Sequence, residues 1–193
     1  MTSAPAAALV KLVLSAAALA TTVAIVLAGH AEGAAQAWTS YLAPSEACPG
    51  ATDRAASARA QRRAVRCLVN WARAQEGRPR LRPSRELHRA AALKGHGVAS
   101  CGELSHAPCN SDITDSVRQA GYPYSTFGEN LFVGLDHEVS AYDVVAAWLA
   151  SPPHRANIMR RGFRDLGLAG VAARGFFGDV DSVVWVAAFG ARR

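Results

Sequence analysis

Residues 151–158, SPPHRANI, place an imidazole directly behind two prolines. Proline lacks an N–H and clashes with the preceding turn, so it stops one helix and suits the first turn of another. Serine is a good N-cap. The spacing predicts a helix ending near Trp148–Ala150 and a short new helix capped by Ser151, with His154 just behind Pro152 and Pro153. A helix N-terminus disfavours imidazolium, and neutral imidazole is the form that binds metal or accepts a proton. Taken alone, the stretch reads more simply as a tight corner closed by a packed histidine. A binding role needs partners from elsewhere in the chain.

Other chemistry-bearing residues are sparse. His137–Glu138 is followed by Ala141 where a metalloprotease HExxH motif needs histidine. No GxSxG nucleophile elbow occurs. Ser105 beside His106 makes no dyad, because neighbours on a strand point apart. The four cysteines are Cys48, Cys67, Cys101 and Cys109. Their even number in an exported chain suggests disulfides, with three possible connectivities. Proximity favours Cys48–Cys67 and Cys101–Cys109. A zinc site is the alternative, although no CxxC pair is present.

Export is read from the N-terminus. Lys11 precedes the uncharged run LVLSAAALATTVAIVLA (12–28), and AAQA (34–37) offers small residues for cleavage after Ala37. Residues 1–37 are therefore expected to be a signal peptide, with an uncleaved membrane anchor through 12–28 as the alternative. Either way the remainder is expected outside the cytoplasm. The formal net charge is +6, and the only lysines are Lys11 and Lys94. Arg59, Arg62, Arg63, Arg66 and Arg73 gather on one predicted helix. No aromatic interleaving or nucleic-acid motif accompanies them, so nucleic acid is excluded as a partner and a solvated helix face is expected.

These residues need elements to position them. Residues 38–52 carry prolines and little periodicity and read as a linker. From Asp53 the pattern is helical, with Val65, Leu68, Val69 and Ala72 on one face, a cap at Thr52 or Asp53, and a stop at Gly77 and Pro79. A second helix starts at Ser84 and runs through Leu87, Ala91 and Val98. Gly95 and Gly97 near its end imply either close packing or an early stop. A short helix is expected over 112–120, a strand over 129–134, and a helix capped by Ser140 with Val144, Val145, Trp148 and Leu149 on its stripe. Residues 165–173 and 182–190 read as a long hairpin. The second run is apolar at nearly every position, which suits a strand covered on both faces. The fold class is α/β (α+β), one domain over residues 53–193.

Four segments together resemble the SCP-like extracellular domain of the CAP superfamily, of the bacterial type. They are CLVNWARAQEGRPRLRPSREL (67–87), LSH (104–106), GENLFVG (128–134) and AAWLASPPHRANIMRRGFRDLGLAGV (146–171), with VVWVAAFG (183–190) matching the last strand. The resemblance implies an α–β–α sandwich, with a small, mainly antiparallel sheet between helices. It also implies a shared cleft of two histidines and two glutamates. His106 matches the first histidine, Glu129 the acid of the GEN motif, and His154 the second histidine. The remaining glutamate, expected in the helix before His154, has no clear counterpart. That helix has Asp143 as its only acid, and Glu138 falls before it. Two imidazoles and a carboxylate make a set for a divalent metal such as zinc, with one position open. Asn130, Arg155 and Asn157 are read as structural, with Asn157 bonding back to the corner and Arg155 reaching an acid.

Three function classes follow. The favoured one is a secreted binding module holding a metal or small ligand in its cleft, with a lipid, small-molecule or protein partner. The others are a metal-assisted extracellular hydrolase and an envelope-anchored structural protein. The family likeness does not fix activity, because a fold does not fix chemistry.

Overall fold

The computed structural model describes residues 38–193. The expected leader 1–37, its apolar run 12–28 and the cleavage point after Ala37 lie outside the described residues. Among the described residues no helix is long and apolar enough to cross a membrane.

Tyr41–Arg193 is one compact unit. Its helices are α1 (Ala58–Gln75), α2 (Arg85–Cys101), α3 (Asp115–Gln119), α4 (Ala141–Ala150) and α5 (Pro152–Met159). Its strands are β1 (Arg82–Pro83), β2 (Tyr124–Leu135), β3 (Asp165–Arg174) and β4 (Asp181–Arg192). They form one sheet in the order β1-β3-β4-β2, antiparallel except for the short β1–β3 pair. Helices lie on both faces, as the two-sided burial of the last strand required. Val184, Val186 and Ala188 of β4 join a core with Leu87, Ala91 and Val98 of α2 and Val117 and Ala120 around α3. The alternate residues Trp185, Ala187 and Phe189 are equally buried and point to the other face. There α1 packs on α4, α5 and β3. The architecture is the expected α–β–α sandwich.

Several local expectations shift. The cap of α1 is Ser57, whose side chain accepts from the Ala60 N–H, and neither Thr52 nor Asp53 serves. Residues 41–52, read as a linker, pack into the compact unit, with Ala43, Cys48 and Ala51 buried. The Cys48–Cys67 disulfide ties them to α1, and Cys101–Cys109 closes the loop after α2, both with Cα atoms 5.7 Å apart. Strand β2 is twice the expected length, because its register with β4 runs from Tyr124↔Arg192 to Leu135↔Ser182. Helix α2 continues through both glycines for the packing reason. A Cβ at Gly95 would sit 2.7 Å from a Val171 methyl, so glycine brings the helix down onto β3. Ser151 sits at the N-cap of α5 without a side-chain capping bond, and the two prolines fill the first turn.

Candidate functional site

Strand β2 forms one edge of the sheet, and side chains from both helical layers meet around it. Glu129 points to the α2 side. Its Oε1 lies 2.8 Å from His106 Nδ1 and 4.0 Å from Lys94 Nζ. Lys94 also donates to the His106 carbonyl, so one ammonium holds both the carboxylate and the loop that carries the histidine. The Glu129 and Lys94 side chains are 1 % and 2 % exposed, whereas His106 is 45 % exposed. A carboxylate only accepts hydrogen bonds, so His106 Nδ1 is the donor. That tautomer leaves Nε2 as the free ring acceptor. Glu129 Oε2 is buried and has no hydrogen-bond partner among the described residues.

His154 arrives from the other layer, on α5. The bonds that position it join α5 to β2. Asn130 Nδ2 donates to the His154 carbonyl at 3.0 Å, and Asn157 Nδ2 donates to the Glu129 carbonyl at 3.0 Å and to Asn130 Oδ1 at 2.9 Å. Trp148 Nε1 donates to the Leu131 carbonyl at 3.0 Å, so two carbonyls of β2 are satisfied by side chains of the helical layer. Gly128 permits the approach of α5, since a Cβ there would lie 3.1 Å from Asn157 Oδ1 and 2.7 Å from the Phe163 ring. Arg73 of α1 grips the far end of α5. Its side chain is fully buried, with Nη1 donating to the carbonyls of Ile158 at 2.5 Å and Arg160 at 3.1 Å. Burial, then the charges of Arg164 and Arg78, push its pKa down to about 10. A cation at helix-terminal carbonyls is favourably placed.

The His154 pKa is lowered, first by burial and then by the charge of His106. The neutral form is thus favoured as expected, but burial is the leading cause where the sequence suggested the helix N-terminus. Glu129 and His106 meet directly, and His154 lies near enough to feel the charge of His106. Neither candidate for a second acid joins them. Asp143 is spent in a capping box with Ser140, and Glu138 is exposed in the turn before α4. Arg155 reaches the Leu149 carbonyl rather than an acid, and Asn157 bonds β2 rather than the corner.

The residue that sequence reasoning missed is Lys94. Its signal was present: Leu87, Ala91, Lys94 and Val98 fall at 4-3-4 spacing, so a lysine occupies the buried stripe of α2. A lysine on such a stripe requires a buried counter-charge. Arg73 was likewise misread as part of a solvated face.

Among the described residues, no group of three or more His, Cys, Asp or Glu side chains stands ready to hold a metal ion. The donors at this edge are two imidazoles, plus a carboxylate already occupied by a histidine and an ammonium.

The model of the cysteine-rich secretory protein family, CAP, matches residues 67–189. The uncharacterized protein YkwD of Bacillus subtilis (strain 168) is 28% identical over 102 residues, covering 52% of this chain and 38% of that protein. Among solved structures, an extracellular protein containing a SCP domain from Bacillus anthracis str. Ames is similar with a TM-score of 0.56 at 16% identity, over 72% of this chain and 44% of that one. An outer surface protein from Borrelia burgdorferi gives a TM-score of 0.59 at 17% identity, over 72% of this chain and 97% of that one. This chain thus spans well under two thirds of the Bacillus proteins, and the structural likenesses speak for the fold. The family match covers the second half of α1, all of α2 to α5, the cleft residues and all but the end of β4, and the chain belongs to the cysteine-rich secretory protein (CAP) family.

Proposed function

We propose that this domain is a binding module acting outside the cytoplasm, and that its β2-edge site captures a divalent cation such as zinc or a small polar ligand. The observation that carries the reading is the 2.8 Å contact between His106 Nδ1 and Glu129. A histidine oriented by a carboxylate through one nitrogen is prepared to bind through the other. In this reading Glu129 positions His106, while His106 Nε2 and the His154 ring hold the ligand. The lowered His154 pKa supports it, because a neutral imidazole is the ligating form.

The donor set fits a loosely held cation. Lys94 next to Glu129 opposes a second positive charge on that carboxylate. Two imidazoles leave the remaining positions to water or to a ligand oxygen, so affinity falls below that of a closed four-ligand zinc site. A bound cation would supply an open Lewis-acid position. Two disulfides and the extracellular and outer-surface descriptions of the structural relatives support the location.

Calorimetric titration of zinc into the protein tests the reading. Wild type is expected to bind one ion, and His106→Ala with His154→Ala to bind none. Equal heats from both proteins would remove the metal from this site.

A further inference from the structure

The opposite edge of the sheet holds a second candidate site. Strand β1 pairs only with Asp165 and Leu166 of β3 before the chain turns into α2, so from Gly167 onward no strand among the described residues pairs with this edge, and the first turn of α2 lies against Gly167 instead. A cavity of about 350 Å³ opens there, between the start of α2 and the middle of α1. Its floor is Leu166, Gly167 and Leu168, and its walls carry Arg62, Arg66, Arg85 and His88. This is within the range of roughly 300–1,000 Å³ typical of small-ligand pockets.

The charges in this cavity are unbalanced. Arg62 and Arg66 are one helical turn apart on α1 and share a face. Arg85 is the first residue of α2. Among the described residues no carboxylate pairs with any of the three. The nearby acid Glu86 does not line the cavity and is already engaged, accepting from Ser84 Oγ, a lining residue, at 2.8 Å and pairing with Arg192 at 3.0 Å. His88 donates through Nδ1 to the Leu168 carbonyl at 2.6 Å, which satisfies that edge carbonyl and leaves Nε2 free.

We infer that this cavity is an anion site for a phosphate monoester, bound by Arg62, Arg66 and Arg85 beside the edge of β3 that β1 leaves without a strand partner. A single carboxylate is satisfied by one bidentate arginine. Three guanidinium forks without a counter-charge match a tetrahedral dianion with three terminal oxygens. The apolar floor of Leu166 and Leu168 accommodates a small organic substituent beside the phosphate. The monoester is either free in solution or the headgroup of a lipid, and the same contacts serve both. The site shares no residue with the β2-edge site and stands independently of it.

The test uses sn-glycerol 3-phosphate as the soluble probe and vesicles of phosphatidic acid in phosphatidylcholine as the lipid probe, at low salt. Wild type is expected to bind at least one of them, with one soluble ligand per chain. Arg62→Gln combined with Arg66→Gln should weaken binding by about tenfold or more, since hydrogen bonds to charged groups are the strong ones. The thermal midpoint of this variant, measured without ligand, should match wild type, which separates lost contacts from lost fold. Binding of the soluble probe identifies a free ligand, and binding of the vesicles alone identifies a headgroup. No binding of either probe, equal binding by wild type and variant, or equal binding of sodium acetate would overturn the inference. Zinc binding by the same variant reports on the β2-edge site separately.

Discussion

At the β2 edge, Lys94 and Glu129 are buried together and His106 completes the group, so the cation and the carboxylate answer each other inside the fold. At the β3 edge, Arg62 and Arg66 are half-buried and Arg85 is exposed, with no carboxylate among the described residues paired to any of them. The first group has committed its charges to the native state. Removing one partner there strands the other in a low-dielectric interior. The second group keeps its charges in contact with water, so their removal costs the fold little and costs an anionic ligand much. Charge buried with its partner contributes to structure, and charge held open without one is available for recognition.

The largest expected effect breaks the balanced edge. Lys94→Met should lower the unfolding free energy by about 3–5 kcal/mol, because it leaves the Glu129 carboxylate buried without its cation. Adding Glu129→Gln should restore more than half of that loss. Urea unfolding of both variants decides it, and a loss below about 1 kcal/mol for Lys94→Met would show that the pair is not committed to the fold.

A smaller effect comes from pH. His154 has a lowered pKa in the folded protein, so the fold opposes its protonation. Its contribution to stability is present above the unfolded imidazole value of about 6.5 and is lost as pH falls below that through the lowered folded value. His154→Gln should therefore flatten the decline in urea midpoint between about pH 7.5 and about pH 5, a window that brackets that value. An unchanged slope would assign the decline to another group. Zinc should steepen the wild-type decline, since protons and metal compete for the neutral ring.

The smallest effect sharpens the contrast from the other side. Arg62→Gln or Arg66→Gln also removes one cation, yet each should change stability by no more than about 0.5 kcal/mol, as at surface positions without partners. A loss comparable to that of Lys94→Met would mean that these arginines have structural partners and that the two edges are alike.

Much of the fold was legible from local pattern. The prolines of SPPHRANI set the boundary between α4 and α5, Ser84 and Ser140 cap their helices, and the apolar run of β4 required cover on both faces. The short spans between cysteines anticipated both disulfides. The site was legible only through the ordered family segments, because His106, Glu129 and His154 belong to different elements whose spacing carries no distance. Lys94 escaped because a helical stripe is read by its apolar members, and the lysine among them was passed over.

The sequence by itself determined most of the elements, the caps at Ser84 and Ser140, the proline boundary between α4 and α5 and the residue types available for binding, and it favoured the two cysteine pairings, since these depend on neighbours within a turn or a loop. The tertiary structure decided which charges meet. The descent of α2 onto β3 at Gly95 accompanies the burial of Lys94 with Glu129, whereas the brevity of β1 leaves most of β3 without a strand partner on that side, beside a cavity lined by three arginines. Both outcomes depend on contacts between residues distant in the chain, and the electrostatic value of a side chain follows from burial and partners that only packing supplies.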